Sequence, residues 1–221
     1  ETIVYLSTFK TSNWVSFDES NDGKKVSHEE ISRDTDGYIV GILKNFCKDK
    51  NFKLAILGRT FKPNEKIKEI AFFDKCLGKG NYSYLEKKQS SDSYYYLRKF
   101  KYFVYKSTTL GYEALSIGKR VACLNISGKK FNIKKGHEYR FQWPKEVDPK
   151  GPFWTNTPDE NEIKNVLNNI ISFSDSKWEE LKKKYTDNYM PYLKTDSSIY
   201  EQLKKKGLNI FSKYEDLKKN L

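Results

Sequence analysis

Two histidines, three cysteines and a single methionine are all the imidazole and sulfur in this chain of 221 residues. Cys47, Cys76 and Cys123 are widely spaced, odd in number and set in apolar contexts, so they form neither a zinc spacing nor a disulfide framework. They read as reduced core residues of a cytoplasmic protein. No apolar run approaches the ~20 residues of a spanning helix, and nothing resembles a signal peptide. Also missing are G-x-G-x-x-G after the first strand, G-x-x-x-x-G-K-[ST], G-x-S-x-G and H-E-x-x-H. Their absence argues against a dehydrogenase, a P-loop NTPase, an α/β-hydrolase and a zincin.

Positive charge, by contrast, is plentiful: 41 Lys and Arg face 29 Asp and Glu, a formal net charge of +12. Such an excess suits nucleic acid, an anionic membrane face or an anionic small substrate. The lysines gather near predicted helix ends (Lys48, Lys50 and Lys53; Lys182 to Lys184; Lys204 to Lys206), where they complement helix dipoles rather than build one patch. No DNA- or RNA-binding motif is visible, so nucleic acid is not an expected partner. The length suits one large domain or two small ones. The chain enters a strand-like run directly from Glu1, which suggests a piece of a longer protein.

Hydrophobic periodicity alternates between strand and helix. Residues 2–9 and 52–57 are short apolar runs, the second ending at Gly58, Arg59 and Thr60. Between them Ser27 and Glu30 form a capping box, followed by Ile31, Tyr38, Ile39, Ile42, Leu43, Phe46 and Cys47 at helical spacing. Within that helix Gly37 weakens without breaking it. His28 is expected to be a solvent-exposed first-turn residue. Residues 10–26 are polar and read as a long loop, in which Trp14 and Phe17 could close over a ligand or tuck onto the core. A second helix starts at Pro63, with Ile67, Ile70, Ala71, Phe72, Phe73 and Leu77 apolar and Gly78 as its stop. A weak strand at 82–85 and a short helix capped by Ser91 and Asp92 follow. The order β-α-β-α-β-α-β-α-β predicts an α/β, Rossmann-like three-layer (αβα) parallel sheet.

Residues 101–124 are the most informative. They read as strand, turn, helix, glycine stop at Gly118 and strand. Ser107, Thr108 and Thr109 place hydroxyls where the helix begins. Hydroxyls and open N–H groups at a helix N-terminus, on the C-terminal edge of a parallel sheet, suit a phosphate. One turn on, Glu113 would accept two hydroxyls of a ribose, since a carboxylate only accepts hydrogen bonds. The alternative is that Ser and Thr merely cap the helix and Glu113 is a surface residue. Residues 126–157 read as a long loop and a last strand at 153–155. Residues 158–221 read as C-terminal helices, the first capped at Thr157 with Pro158 and Glu160 behind it, then 174–185 and 197–206. One domain, with its βα core at 1–125, is the expected organisation.

The run STTLGYEALSIGKRV at residues 107–121 resembles the donor-binding segment of GT-B type glycosyltransferases. In particular it is similar to the bacterial surface-carbohydrate group that makes capsule and lipopolysaccharide. UDP-sugar 2-epimerases and CDP-glycerol transferases share the half-fold and a related pattern. The resemblance implies the C-terminal, nucleotide-sugar-binding half of a GT-B enzyme, with the N-terminal acceptor-binding half lying outside this chain. It implies that Ser107, Thr108, Thr109 and Arg59 meet the donor phosphates and Glu113 the ribose. Ser7, Thr8, Lys10, Gly58 and Gly111 would be further cleft contacts. It implies a glycan or glycolipid acceptor, a cytoplasmic site with peripheral contact to an anionic inner membrane, and no metal or other cofactor, in keeping with the lack of a clear D-x-D triplet. The general base would come from the other half, with His137, Glu138 and Asp18 as the local candidates.

Overall fold

The computed structural model describes residues 1–9, 17–89, 91–134 and 148–186. Trp14, Lys10, His137, Glu138 and the helix expected at 197–206 lie outside them. Strand β1 (Thr2–Leu6) is followed by a small hairpin, β2 (Phe17–Glu19) and β3 (Lys25–Ser27), and then by α1 (His28–Asp49). The hairpin corrects the reading of 10–26 as a loop. In it Asp18 pairs with Val26, and Phe17 stands 52% exposed, so Phe17 does not tuck onto the core. Ser27 caps α1 by accepting from the Glu30 N–H at 3.1 Å, and Gly37 passes through without a break.

Next come β4 (Lys53–Leu57), α2 (Pro63–Leu77), β5 (Ser83–Leu85), α3 (Asp92–Lys99), β6 (Tyr102–Tyr105), α4 (Thr109–Ser116) and β7 (Arg120–Cys123). Gly78 and Gly118 end α2 and α4 with φ of 80° and 83°, a backbone region that glycine reaches without Cβ strain. On α2 the buried stripe is Glu69, Phe73 and Leu77, while Ile67, expected to be inside, is 64% exposed. Nor does Ser91 cap α3 with its side chain; the Asp92 carboxylate instead accepts from the Lys88 N–H at 2.7 Å.

The chain closes with α5 (Ser127–Lys130), β8 (Lys150–Gly151), β9 (Trp154–Thr155), α6 (Glu160–Ser172) and α7 (Asp175–Thr186). A single turn at α5 and the strand β8 were hidden in what reads as loop. The cap of α6 is Asp159, accepting from the Glu162 N–H at 2.9 Å, rather than Thr157. Proline at 158 therefore lies just outside the helix. Its carbonyl accepts from the Tyr38 hydroxyl at 3.3 Å.

Apart from the β2–β3 hairpin, the described strands form one sheet in the order β5-β4-β1-β6-β7-β9-β8, parallel apart from β8 against β9. Numbered by the parallel strands alone, this is the 3-2-1-4-5-6 order of a doubly wound Rossmann-like fold. The winding reverses between β1 and β6, whose register sets Ile3 opposite Tyr102 and Tyr5 opposite Val104. Right-handed crossovers then put α1 and α2 on one face and α3 and α4 on the other. Because both faces are covered, β1, β4, β6 and β7 are near-continuous apolar runs with no polar alternation. Ile3, Val4, Tyr5, Phe103, Val104, Val121 and Ala122 are fully closed to solvent. Cys47 and Cys123 are buried and Cys76 half-buried, and these three form no disulfide. No helix among the described residues is long and apolar enough to cross a membrane.

Candidate functional site

In a sheet of this order the crevice lies outside the C-terminal ends of the strands on either side of the reversal, here β1 and β6. Residues 7–9 leave β1 there and residues 106–108 leave β6. Thr108 is the N-cap of α4: its hydroxyl accepts from the Leu110 N–H at 3.3 Å. Thr109 is exposed and Ser107 half-buried beside it. Glu113 follows Thr109 by four residues and so shares its side of the helix. It is half-buried, and its carboxylate has no hydrogen-bond or ion-pair partner among the described residues. The structure thus brings together Ser107, Thr108, Thr109 and Glu113 around the N-terminus of α4, where Thr108 already takes the Leu110 and Gly111 N–H groups.

The remaining expected contacts take different places. Ser7 is buried and donates its hydroxyl to Glu69 at 2.5 Å while accepting from the Phe9 N–H at 3.1 Å. Thr8 donates to Asp36 at 3.1 Å. Both hydroxyls face into the fold, so these residues shape the first loop instead of presenting oxygen donors at the crevice. Gly58 and Gly111 are explained by packing. A Cβ on Gly58 would sit 1.9 Å from the Tyr84 hydroxyl oxygen, and one on Gly111 2.3 Å from the Tyr105 ring. Arg59 is exposed at the end of β4, on the correct edge, with Nη1 donating to the Phe9 carbonyl at 3.2 Å. Since β1 stands between β4 and β6, Arg59 leaves the sheet about 10 Å from Ser107.

Two buried carboxylates on the stripes of α1 and α2 hold this edge together. Asp36 receives Lys106 Nζ at 2.8 Å and the Tyr5 hydroxyl at 2.6 Å, and its side chain is 0% exposed. Burial and then the Asp36 charge push the Tyr5 phenol well above its usual pKa, so it stays protonated and donates. Lys106 also reaches the Ser32 carbonyl at 2.8 Å, and Ser32 donates to the Thr8 carbonyl at 3.0 Å. The ends of β1 and β6 and the first turns of α1 are therefore tied in one network. Glu69 does the same one strand over: besides Ser7 it accepts from the Arg59 N–H at 3.0 Å and the Tyr84 hydroxyl at 2.8 Å. Burial and the Glu69 charge raise the Tyr84 pKa, which keeps that donor protonated. Lys87 closes the edge by donating to the Arg59 carbonyl at 2.9 Å.

Contrary to expectation, a D-x-D spacing is present, at Asp34 and Asp36. It lies inside α1, where Asp36 is closed around Lys106 and Asp34 pairs with Lys130 at 3.0 Å. Two residues apart on a helix, the carboxylates point to different sides. Among the described residues no group of three or more His, Cys, Asp or Glu could hold a metal ion. A groove of about 830 Å³ opens between α1 and α2, lined by Phe9, Tyr38, Lys68 and Phe72, and lies on the helical face instead of the strand edge.

A family model described as "putative O-antigen biosynthesis protein" matches residues 1–207. The chain belongs to this O-antigen biosynthesis family. Nothing among curated proteins matches it. One similar solved structure is the UDP-GlcNAc 2-epimerase from Neisseria meningitidis bound to UDP-GlcNAc, 14% identical, with a TM-score of 0.43. That similarity covers 82% of this chain and 38% of the epimerase, so the chain spans well under half of that enzyme's length.

In this O-antigen family member the residues that the sequence reading passed over are Asp36, Glu69, Lys106 and the pairing of His28. Asp36 and Glu69 carry a readable signal: each is a carboxylate on its helix's apolar stripe, four residues from Ser32 or Phe73. His28, expected in solvent, is 19% exposed, with its buried Nε2 2.9 Å from Asp18 Oδ2, an ion-pair contact by distance that is not aligned as a hydrogen bond. No local pattern marks that pair, because the hairpin brings it together.

Proposed function

We propose that this chain is the nucleotide-sugar-binding part of an enzyme that transfers a sugar in O-antigen or related surface-polysaccharide assembly. The observation that carries the reading is the start of α4. Thr108 caps it, Ser107 and Thr109 flank the cap, and Glu113, without a partner among the described residues, stands on the same side, all at the reversal between β1 and β6. The helix N-terminus would receive the donor's phosphates, Arg59 would add positive charge from across β1, and Glu113 would hold the ribose diol. Family membership places the chain in carbohydrate biosynthesis.

The same reading supplies the partners. The acceptor would be a glycan or glycolipid, presented by a second, acceptor-binding half in the manner of a GT-B enzyme, at the cytoplasmic side of a membrane. The donor would be held without a metal ion, so nucleotide affinity would survive dialysis against EDTA. A sugar-nucleotide 2-epimerase is the second reading. His28 beside Asp18 near the crevice is compatible with it, because epimerisation, like transfer, needs acid–base groups there. Product analysis separates the two: an epimerised nucleotide sugar against a released nucleotide.

Thermal-shift and calorimetric titration with UDP-, GDP-, CMP- and CDP-compounds tests the donor site. At least one should bind, and Glu113→Ala and Thr108→Val should each weaken it by about 1–3 kcal/mol, as lost buried or charged hydrogen bonds do. Binding by none of them, in folded protein, would remove the reading.

A further inference from the structure

We infer that His28 and Asp18 are the acid–base pair of this crevice, His28 taking the proton of the attacking hydroxyl and Asp18 orienting its ring. The inference rests on the nucleotide-sugar reading above. Helix α1 begins at the C-terminal edge of the sheet, because it follows β1 in a right-handed βαβ unit. His28, Ser32 and Asp36 are spaced by four and share one side of that helix. Ser32 contacts the Thr8 carbonyl at the end of β1 and Lys106 at the end of β6. His28 therefore begins the helix one turn, about 6 Å along its axis, before Ser32, toward the crevice end of α1.

Asp18 is held there by more than its own strand pairing. Ser20 bridges to Ile133, the Asn21 N–H donates to the Asn132 carbonyl at 2.8 Å and the Lys134 N–H to the Glu19 carbonyl at 2.9 Å. Lys134 Nζ also pairs with Glu19 Oε1 at 2.5 Å. These bonds fasten the hairpin to the segment behind β7 without help from His28. A half-buried His–Asp pair is thus not needed to fix the hairpin, whereas a carboxylate fixed against an imidazole is the arrangement that sets a general base.

In the transfer, the acceptor hydroxyl oxygen bonds to the anomeric carbon and its proton passes to the His28 imidazole. The bond from the anomeric carbon to the phosphate oxygen breaks, and its electron pair leaves on the nucleotide phosphate at the α4 N-terminus. Asp18 steadies the imidazolium that forms.

With two histidines in the chain, the imidazole Hε1 region of a proton spectrum holds two resonances, and H28Q identifies that of His28. UDP-glucose, GDP-mannose, CMP-sialic acid and CDP-glucose are titrated into the full chain, with calorimetry alongside. We expect the compound that binds to shift the His28 resonance. Where the chain turns that donor over, with water as acceptor, H28Q and D18N should slow nucleotide release by about 100-fold and leave the donor Kd within about two-fold. A merely structural pair would lower Tm and leave turnover of the folded variants intact. If a nucleotide binds while the His28 resonance stays fixed, or H28Q turns over normally, the pair is wrong and the donor site stands. If none of the four binds, the donor reading fails and takes the pair with it.

Discussion

Lys106 Nζ lies 2.8 Å from Asp36 Oδ1, and the two side chains are 3% and 0% exposed. This ion pair joins the strand that leads into the candidate phosphate turn to the first helix of the fold. Lys106 immediately precedes Ser107, so the pair fixes where the turn begins.

Removing one partner should therefore be costly. Lys106→Met leaves a buried carboxylate with only hydroxyl donors and should destabilise the protein by about 3–5 kcal/mol in urea titration. Adding Asp36→Leu should restore part of that loss, since a hydrophobic pair avoids the desolvation of both charges. A single variant within about 1 kcal/mol of the parent would mean that the pair is solvated.

Glu69→Gln keeps the side-chain shape but sets an amide against the Ser7 hydroxyl, the Arg59 N–H and the Tyr84 hydroxyl. A loss of about 3 kcal/mol is expected from weakened and mismatched bonds. Hydrogen exchange gives a local check: the Arg59 amide should lose protection while amides in β7 keep theirs.

Gly111→Ala sets two effects against each other. Helix propensity alone would favour alanine by about 0.5–1 kcal/mol. The new Cβ, however, would meet the Tyr105 ring at 2.3 Å, which costs about 1–3 kcal/mol unless the helix shifts. A lower Tm with or without nucleotide is expected; a raised Tm would show that Tyr105 moves aside easily.

Asp175 reports on the far side of the domain. Its pKa is held below the usual carboxylate range, first by the hydrogen bond from Arg120 at 2.6 Å and then by the charges of Lys101 and Arg120. A depressed folded-state pKa contributes stability that is present above the unfolded value, near 3.9, and lost as pH falls through the folded one. Asp175→Asn should lower Tm slightly at neutral pH and flatten the acid limb below about pH 4. Parallel Tm–pH curves for the two proteins would contradict this.

Much of the architecture was legible because local signals agreed with it. Apolar runs at β1, β4, β6 and β7 marked strands, Ser27 marked a helix start, and Gly78 and Gly118 marked stops. Failures fell where local rules compete. Thr157 and Asp159 both suit a helix cap, and only packing chose Asp159. Three-residue strands in a polar stretch, β2 and β3, leave too short a period to read. Ile67 matched the helical pattern, yet the buried stripe of α2 runs through Glu69.

By itself, the sequence determined a parallel α/β sheet and set hydroxyls and a carboxylate along the first turns of α4, because those features follow from spacing along one segment. Contacts between segments were decided only in three dimensions. Tertiary structure turned Ser7 and Thr8 inward, closed Asp36 around Lys106, and joined His28 to Asp18 across a hairpin. The physical reason is burial. A carboxylate deep in the fold must find donors, and which residues supply them depends on strands and helices that no local pattern connects.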